Sequence, residues 1–294
     1  MVETPIIQYL RSIPQDEKIY FFPNPGGAGD SMIALATYTL FKEMQIGYSI
    51  VPVSQAFDPV GKTVVYGGGG NLVHYYDTAR KTVQKYHSRA KKLVILPHTI
   101  NANEDLLGEL GANVDVICRE PVSFAHVREF APGANVFLME DIAFSLDMKK
   151  IARKTYLPLK KQSLAFLPRD SLMAILMSLK QLSGKILERG DFRTLNAFRK
   201  DLEGTRLRFP RDNIDLSLLF SHSTTNEMMA YYVTHCILRV INHYQKVCTD
   251  RLHICIAAAK LGKEVEFFPN KYYKCEAVYH YSMKDQYPNV RWMG

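Results

Sequence analysis

The chain has 294 residues, 47% of them apolar and 22% charged, an ordinary globular composition long enough for two domains. A net charge of +8 and a pI near 9.1 point to anionic partners. The paired lysines (Lys91-Lys92, Lys149-Lys150, Lys160-Lys161) are scattered rather than gathered in one tract, and no nucleic-acid-binding signature is present, so no nucleic acid is expected as a partner. A basic face suits small acidic ligands, or peripheral contact with anionic lipid at the inner membrane surface.

The five cysteines are odd in number, widely spread and free of any CxxC, which argues for a reducing compartment and against a disulfide framework or a zinc site. Charged residues interrupt the start of the chain, so no signal peptide is expected there, and no apolar run reaches the roughly 18 residues of a membrane span. The expected location is cytoplasmic.

Ile19 to Phe22 reads as a buried strand. The loop Gly26-Gly27-Ala28-Gly29-Asp30 follows, then a helix from Met32 to about Met44. Strand, glycine loop and helix form a phosphate-cradle order, but Met32 stands where a dinucleotide fingerprint needs its third glycine. Ala56 to Thr63 imitates a Walker A loop; a strand beginning at Thr63 leaves its lysine no helix end, and the motif is rejected. Val64 to Tyr66 runs into Gly67-Gly68-Gly69-Gly70-Asn71, where four glycines allow close approach of a ligand or another backbone, with Asn71 capping a following helix. The strand Leu93 to Leu96 ends in Pro97-His98-Thr99-Ile100. The strand Val114 to Cys118 ends in Arg119-Glu120, after which Ser123 caps a helix from Phe124 to Phe130. A strand from Asn135 to Met139 ends in Glu140-Asp141. Strands alternating with helices predict a parallel sheet covered on both faces, with ligands beyond the strands' carboxyl ends. The glycine loop, the Gly67–Gly70 run, His98, Arg119, Glu120 and Asp141 all share that edge.

Lys149 to Gln162 reads as a linker, and the division into domains is placed at 1–150 and 151–294. In the second half, a strand from Ser163 to Leu167 ends at Arg169, and Ser171 to Glu188 reads as a packing helix. Gly190 to Arg211 reads as charged surface. Ile214 to Phe220 reads as a strand and Thr224 to Tyr244 as a long helix begun near Asn226. A strand from Lys246 to Cys248 leads into Thr249-Asp250-Arg251-Leu252-His253, then a helix to Leu261 stopped by Gly262. Arg251 and His253 thus meet at a strand-to-helix turn that favours an anion: a planar fork of donors beside a proton that moves near pH 7. Glu264 to Phe268 is a further strand, followed by Asn270 and Lys274. The tail 276–294 is expected to pack back across the domains as a helix. No metal-ligand spacing or nucleophile elbow appears, and no cofactor is expected.

Taken together, the loop at Gly26–Asp30, the Gly67–Asn71 run, Pro97-His98-Thr99, Arg119 to Ser123, Asp141, Thr249 to His253 and Tyr272-Tyr273-Lys274 resemble the polysaccharide pyruvyl transferase family over about residues 19 to 280. The resemblance implies an α/β fold of two facing Rossmann-like domains, GT-B-like, with a cleft between them. It implies phosphoenolpyruvate as donor and, as acceptor, a sugar of an exopolysaccharide, a capsule or a lipid-linked precursor. The turn at His98-Thr99-Ile100-Asn101 and the lone Arg169 depart from the family's habit. On this footing Arg251, Arg119, Arg169, Lys274 and Gly67–Asn71 are candidate donor ligands. His253, Asp30, Glu120 and Asp141 are candidate acid–base groups, and His98 and Thr99 face the acceptor. The rivals are a GT-B glycosyltransferase using a nucleotide sugar and a non-catalytic sugar-binding or scaffold protein of polysaccharide assembly.

Overall fold

A computed structural model of the chain describes residues 3–14, 16–153, 193–205, 208–219 and 224–294. The expected strand at Ser163, Arg169 and the packing helix from Ser171 lie outside the described residues. The structure is α/β, with two parallel sheets. The chain divides into two compact units. The first takes everything up to Pro25, Ile33–Leu146 and His280–Ser282; the second takes Gly26–Met32, Asp147–Tyr279 and Met283–Gly294. The boundary near Leu146 lies close to the one read at residue 150, but the glycine loop groups with the second unit.

In the first unit β1 (Ile19–Phe22), β2 (Tyr48–Ile50), β3 (Thr63–Tyr66), β5 (Lys92–Ile100), β6 (Val114–Cys118) and β7 (Asn135–Leu138) lie in the order β2-β1-β3-β5-β6-β7, and β4 (Gly69–Leu72) pairs with the far half of β5. The central strands β3 and β6 are buried throughout, as strands covered on both faces must be. One face carries a core of Phe22, Val64, Tyr66, Leu93, Ile95, Val114 and Val116. On the other, Phe21 meets Tyr38 and Phe41 of α2 (Ala28–Glu43) edge to face.

Three local expectations need correction. Pro97 to Ile100 is strand, not turn: Gly69 pairs with His98 and Leu72 with Ile100. Pro97 is tolerated because the β5–β6 register shifts between Ile95 and His98. The Gly67–Asn71 run is loop only at Gly67 and Gly68, which join β3 to β4; Gly69 to Leu72 is strand, so Asn71 sits within β4 rather than at a helix cap. Finally, α5 (Pro121–Phe130) starts two residues before Ser123. Pro121 takes the first helical position, and the Glu120 carboxylate, not Ser123, is the cap, accepting from Ser123 N at 2.9 Å.

In the second unit β8 (Thr194–Ala197), β9 (Lys246–Thr249), β10 (Glu264–Phe267) and β11 (Val290–Trp292) form a parallel sheet in the order β11-β10-β9-β8. The basic linker begins as α6 (Met148–Arg153), and β8 lies in what read as charged surface. Leu216–Leu219, read as strand, is a helical turn, α7. The neighbouring side chains explain it: Asn213 bonds both Phe198 N and Phe198 O, and Asp215 accepts from Lys200 N, using backbone groups that a pairing strand needs. The long helix is α8 (Glu227–Asn242), capped by Asn226 accepting from Met229 N at 3.1 Å. After β9 comes α9 (Leu252–Lys260), ended by Gly262 at φ +77°. The tail is not one helix: after α10 (Lys274–Val278) it adds β11 to the sheet edge.

Candidate functional site

In the first unit the strand order reverses between β1 and β3, since the chain goes out to β2 and returns. Such a switch point is where open parallel sheets hold ligands. It is occupied by a chain of amides and rings. Tyr66 Oη and Asn71 Nδ2 both donate to Asn24 Oδ1 at 2.7 Å, and His98 Nε2 lies 3.0 Å from Asn71 Oδ1. Nε2 also lies 3.3 Å from Asn71 N, so it donates to the amide oxygen in one tautomer and accepts from the backbone N–H in the other. His98 is fully buried; burial first, then the charge of Arg119, lowers its pKa to about 3 and keeps it neutral.

Gly67 and Gly68 have no room for a Cβ. One at Gly67 would lie 2.6 Å from Asn24 N, and one at Gly68 2.7 Å from Pro97 O. What approaches these two glycines closely is backbone. Arg119, 1% exposed, donates through Nε to Thr99 Oγ1 at 2.8 Å and through Nη1 to Asp141 Oδ2 at 2.7 Å. Asp141 also accepts from Ala143 N at 2.9 Å. Arg119 and Asp141 therefore neutralise one another. Glu120 is likewise buried, holding the start of α5, and burial pushes its carboxyl pKa up.

The second unit gathers its candidates past three aligned strand ends, Ala197, Thr249 and Phe267. Thr249 Oγ1 donates to Ala197 O and accepts from Arg251 N at 3.0 Å, fixing the turn. Arg251 caps α9 without giving it a side-chain bond. Its Nε donates to Asp215 Oδ1 and its Nη2 to Asp215 Oδ2, both at 2.6 Å, and Nη2 also reaches Asp201 Oδ2 at 3.0 Å. Nη1 has no partner among the described residues. Arg199 shares Asp201, through Nε at 2.6 Å and Nη2 at 3.0 Å, and its Nη1 meets Glu203 at 2.6 Å. Burial opposes the charge on Asp201, but the Arg199 bonds and the charges of both arginines outweigh it and hold its pKa at about 2. Glu203 also accepts from Lys274 Nζ, which lies over the Tyr272 ring, and from Asn270 Nδ2. Asp250, 1% exposed, accepts from Arg199 N at 2.8 Å; its Oδ2 is buried with no hydrogen-bond partner among the described residues, and burial raises its pKa.

Three cations thus sit among four carboxylates. The expected donor ligands Arg251 and Lys274 are present at the strand ends, but their charge is largely answered from within the protein. Sequence reasoning overlooked Asn24, Arg199, Asp201, Glu203 and Asp215. A signal for three of them existed: Arg199, Asp201 and Glu203 alternate directly after the short apolar alternation of β8. His253 stands in the first turn of α9, half-buried, against Gly29. Asp30, in the first turn of α2, is half-buried too.

The chain is similar to known proteins. The provisionally named pyruvyl transferase EpsO of Bacillus subtilis (strain 168) is 28% identical over 305 residues, covering 96% of this chain and 90% of that protein. The crystal structure of a functionally uncharacterised protein from Klebsiella pneumoniae subsp. pneumoniae NTUH-K2044 matches with a TM-score of 0.76 at 28% identity, over 98% of this chain and 97% of that one. A family model, polysaccharide pyruvyl transferase, matches residues 28–272, a span running from the first turn of α2 past the β9–α9 turn to Tyr272. The chain belongs to the polysaccharide pyruvyl transferase family.

Proposed function

We propose that the chain moves a pyruvyl group from phosphoenolpyruvate to a saccharide acceptor and leaves it there as a cyclic ketal. The observation that carries this reading is the pairing of Arg251 and His253 at the β9–α9 turn, inside the span matched by the family. The donor carries a phosphate and a carboxylate on a three-carbon skeleton. Arg251 can present Nη1, and the first turn of α9 its backbone N–H groups.

In the proposed reaction a general acid protonates the methylene carbon, which leaves C2 electrophilic. One sugar hydroxyl adds to C2, the C–O bond to phosphate breaks, and a second hydroxyl closes the ring. Of the two hydroxyl protons, one leaves with phosphate and one restores the acid. His253 suits the acid, since imidazole exchanges protons near neutral pH. Asp30 suits the base better than Glu120 or Asp141, because both of those are fully buried whereas Asp30 is half-buried in the first turn of α2. Arg119 or Arg169 remains the candidate second clamp, although the Asp141 bond weakens the case for Arg119. His98 and Thr99 remain the acceptor candidates. A lipid-linked acceptor would suit a basic protein working at an anionic membrane surface.

The test is incubation with phosphoenolpyruvate and a panel of glycosides, reading phosphate release and product mass. The expected product is heavier than the acceptor by one pyruvate less one water, and excess chelator leaves the rate unchanged. A nucleotide sugar consumed in place of phosphoenolpyruvate would move the chain to glycosyl transfer.

A further inference from the structure

The glycine stretch at the start of α2 makes a contact that the proposed chemistry does not use. A Cβ built on Gly29 would lie 2.4 Å from Nδ1 of His253, 3.0 Å from its Cγ and 3.3 Å from its Cβ. Two residues earlier, a Cβ on Gly27 would lie 3.3 Å from the carbonyl oxygen of Ser217. The stretch is therefore held against α7 at one glycine and against the His253 ring at the other. Gly29 is helical, and glycine is among the least favourable residues in a helix. Backbone freedom does not explain its place, because its φ is not positive. The imidazole does.

We infer that Gly29 is the positioning residue for His253: its missing side chain lets the ring lie against the first turn of α2, with the Nδ1 edge turned to the helix and Nε2 as the nitrogen that acts on substrate. The inference rests on the reading of His253 as a donor-site acid. It adds what that reading lacks, a reason for one ring orientation.

The test is a double-mutant cycle of Gly29→Ala and His253→Ala, followed by thermal unfolding and by NMR of the imidazole ring nitrogens. With His253 present, Gly29→Ala should lower the melting temperature by roughly 2–10 °C through overpacking. With alanine at 253 the same change should be neutral or stabilising, because only the Cβ at 3.3 Å remains and alanine favours the helix. The His253 ring-nitrogen chemical shifts should change in Gly29→Ala while those of the other histidines stay in place. With phosphoenolpyruvate, kcat should fall about tenfold or more through misorientation.

An equal change of melting temperature in both backgrounds, failure to fold in both, or unmoved His253 ring-nitrogen shifts in the folded variant overturns the inference. Folding rescued only by His253→Ala supports it. The cycle uses no substrate. Failure of the parent protein to consume phosphoenolpyruvate would therefore remove the proposed function without touching this result.

Discussion

Asp215→Asn should weaken the fold and strengthen the grip on the donor. Asp215 takes two bonds from Arg251 at 2.6 Å and one from Lys200 N at 2.8 Å, and its side chain is 5% exposed. Asparagine keeps one acceptor but turns an NH2 group toward the guanidinium, so one bond becomes a donor–donor clash. Asp201 still holds Nη2 at 3.0 Å, which limits the damage. The expected loss is roughly 2–4 kcal/mol, between a hydrogen bond to a charged group and a fully broken buried ion pair. At the same time one negative charge leaves the site. At about 6 Å from a bound anion that charge repels by roughly 0.7–3 kcal/mol, depending on screening. Phosphoenolpyruvate should therefore bind about 3- to 100-fold more tightly, and less so as salt rises. Urea unfolding reads the first effect and isothermal titration calorimetry the second. A folded Asp215→Asn protein that binds phosphoenolpyruvate no better than the parent would refute the premise that Asp215 tempers an arginine facing the donor.

Other outcomes follow from the first unit. His98 has a folded pKa of about 3 against 6.5 unfolded, so the unfolded chain binds more protons between those values and stability rises with pH across that window. Its contribution is complete above pH 6.5 and should fall by about 2 kcal/mol on going from pH 7.5 to 5; urea unfolding should show a flatter profile for His98→Asn. Arg119→Met or Asp141→Ala alone should cost roughly 3–5 kcal/mol, and the double variant far less, because each single change leaves a buried charge unanswered. A stable double variant that retains turnover would assign the pair to the fold rather than to the donor. Gly67→Ala should destabilise by about 1–3 kcal/mol, since its Cβ meets rigid backbone at 2.6 Å, whereas alanine at Gly47, which has open space, should not.

How far these features were legible varies with the kind of interaction. The strands Ile19–Phe22 and Thr63–Tyr66 could be read because parallel strands buried on both faces appear as near-continuous apolar runs, and Val114–Cys118 follows the same pattern with Asp115 as its one charged residue. The β9–α9 turn could be read because a strand, a polar turn and an apolar helix stopped by glycine are local signals. Arg199, Asp201 and Glu203 were taken for surface because charge density predicts exposure only where charges have no partners. Here Asp201 and Glu203 are answered by Arg251 and Lys274, far along the chain, and in turn answer Arg199 beside them. The same holds for Gly67 and Gly68. Their requirement comes from Asn24 and Pro97, which the sheet order alone brings close, so a glycine run could suggest close approach without saying what approaches.

Both units use one device at their strand ends, and it bears on how the proposed donor could be held. Arg119 with Asp141 in one, and Arg251 with Asp215 and Asp201 in the other, tie an arginine within two residues of a strand end to a carboxylate from another segment. Such pairs add little net stability, since desolvation consumes most of the attraction. They do fix geometry: the guanidinium plane is set before any ligand arrives. An arginine so tempered binds an anion less strongly than a bare one. For a transferase whose product includes free phosphate, that is favourable, because grip shared equally by substrate, transition state and product does not raise turnover. What remains on Arg251 is direction, through Nη1 alone, so recognition there should depend on where the donor's oxygens lie more than on its total charge. Methylphosphonate, pyruvate and phosphoenolpyruvate, compared for competition at equal ionic strength, separate the two. Affinity that follows charge alone, in disregard of how the anionic groups are spaced, would show that the carboxylates around Arg251 serve the fold and leave recognition to other groups.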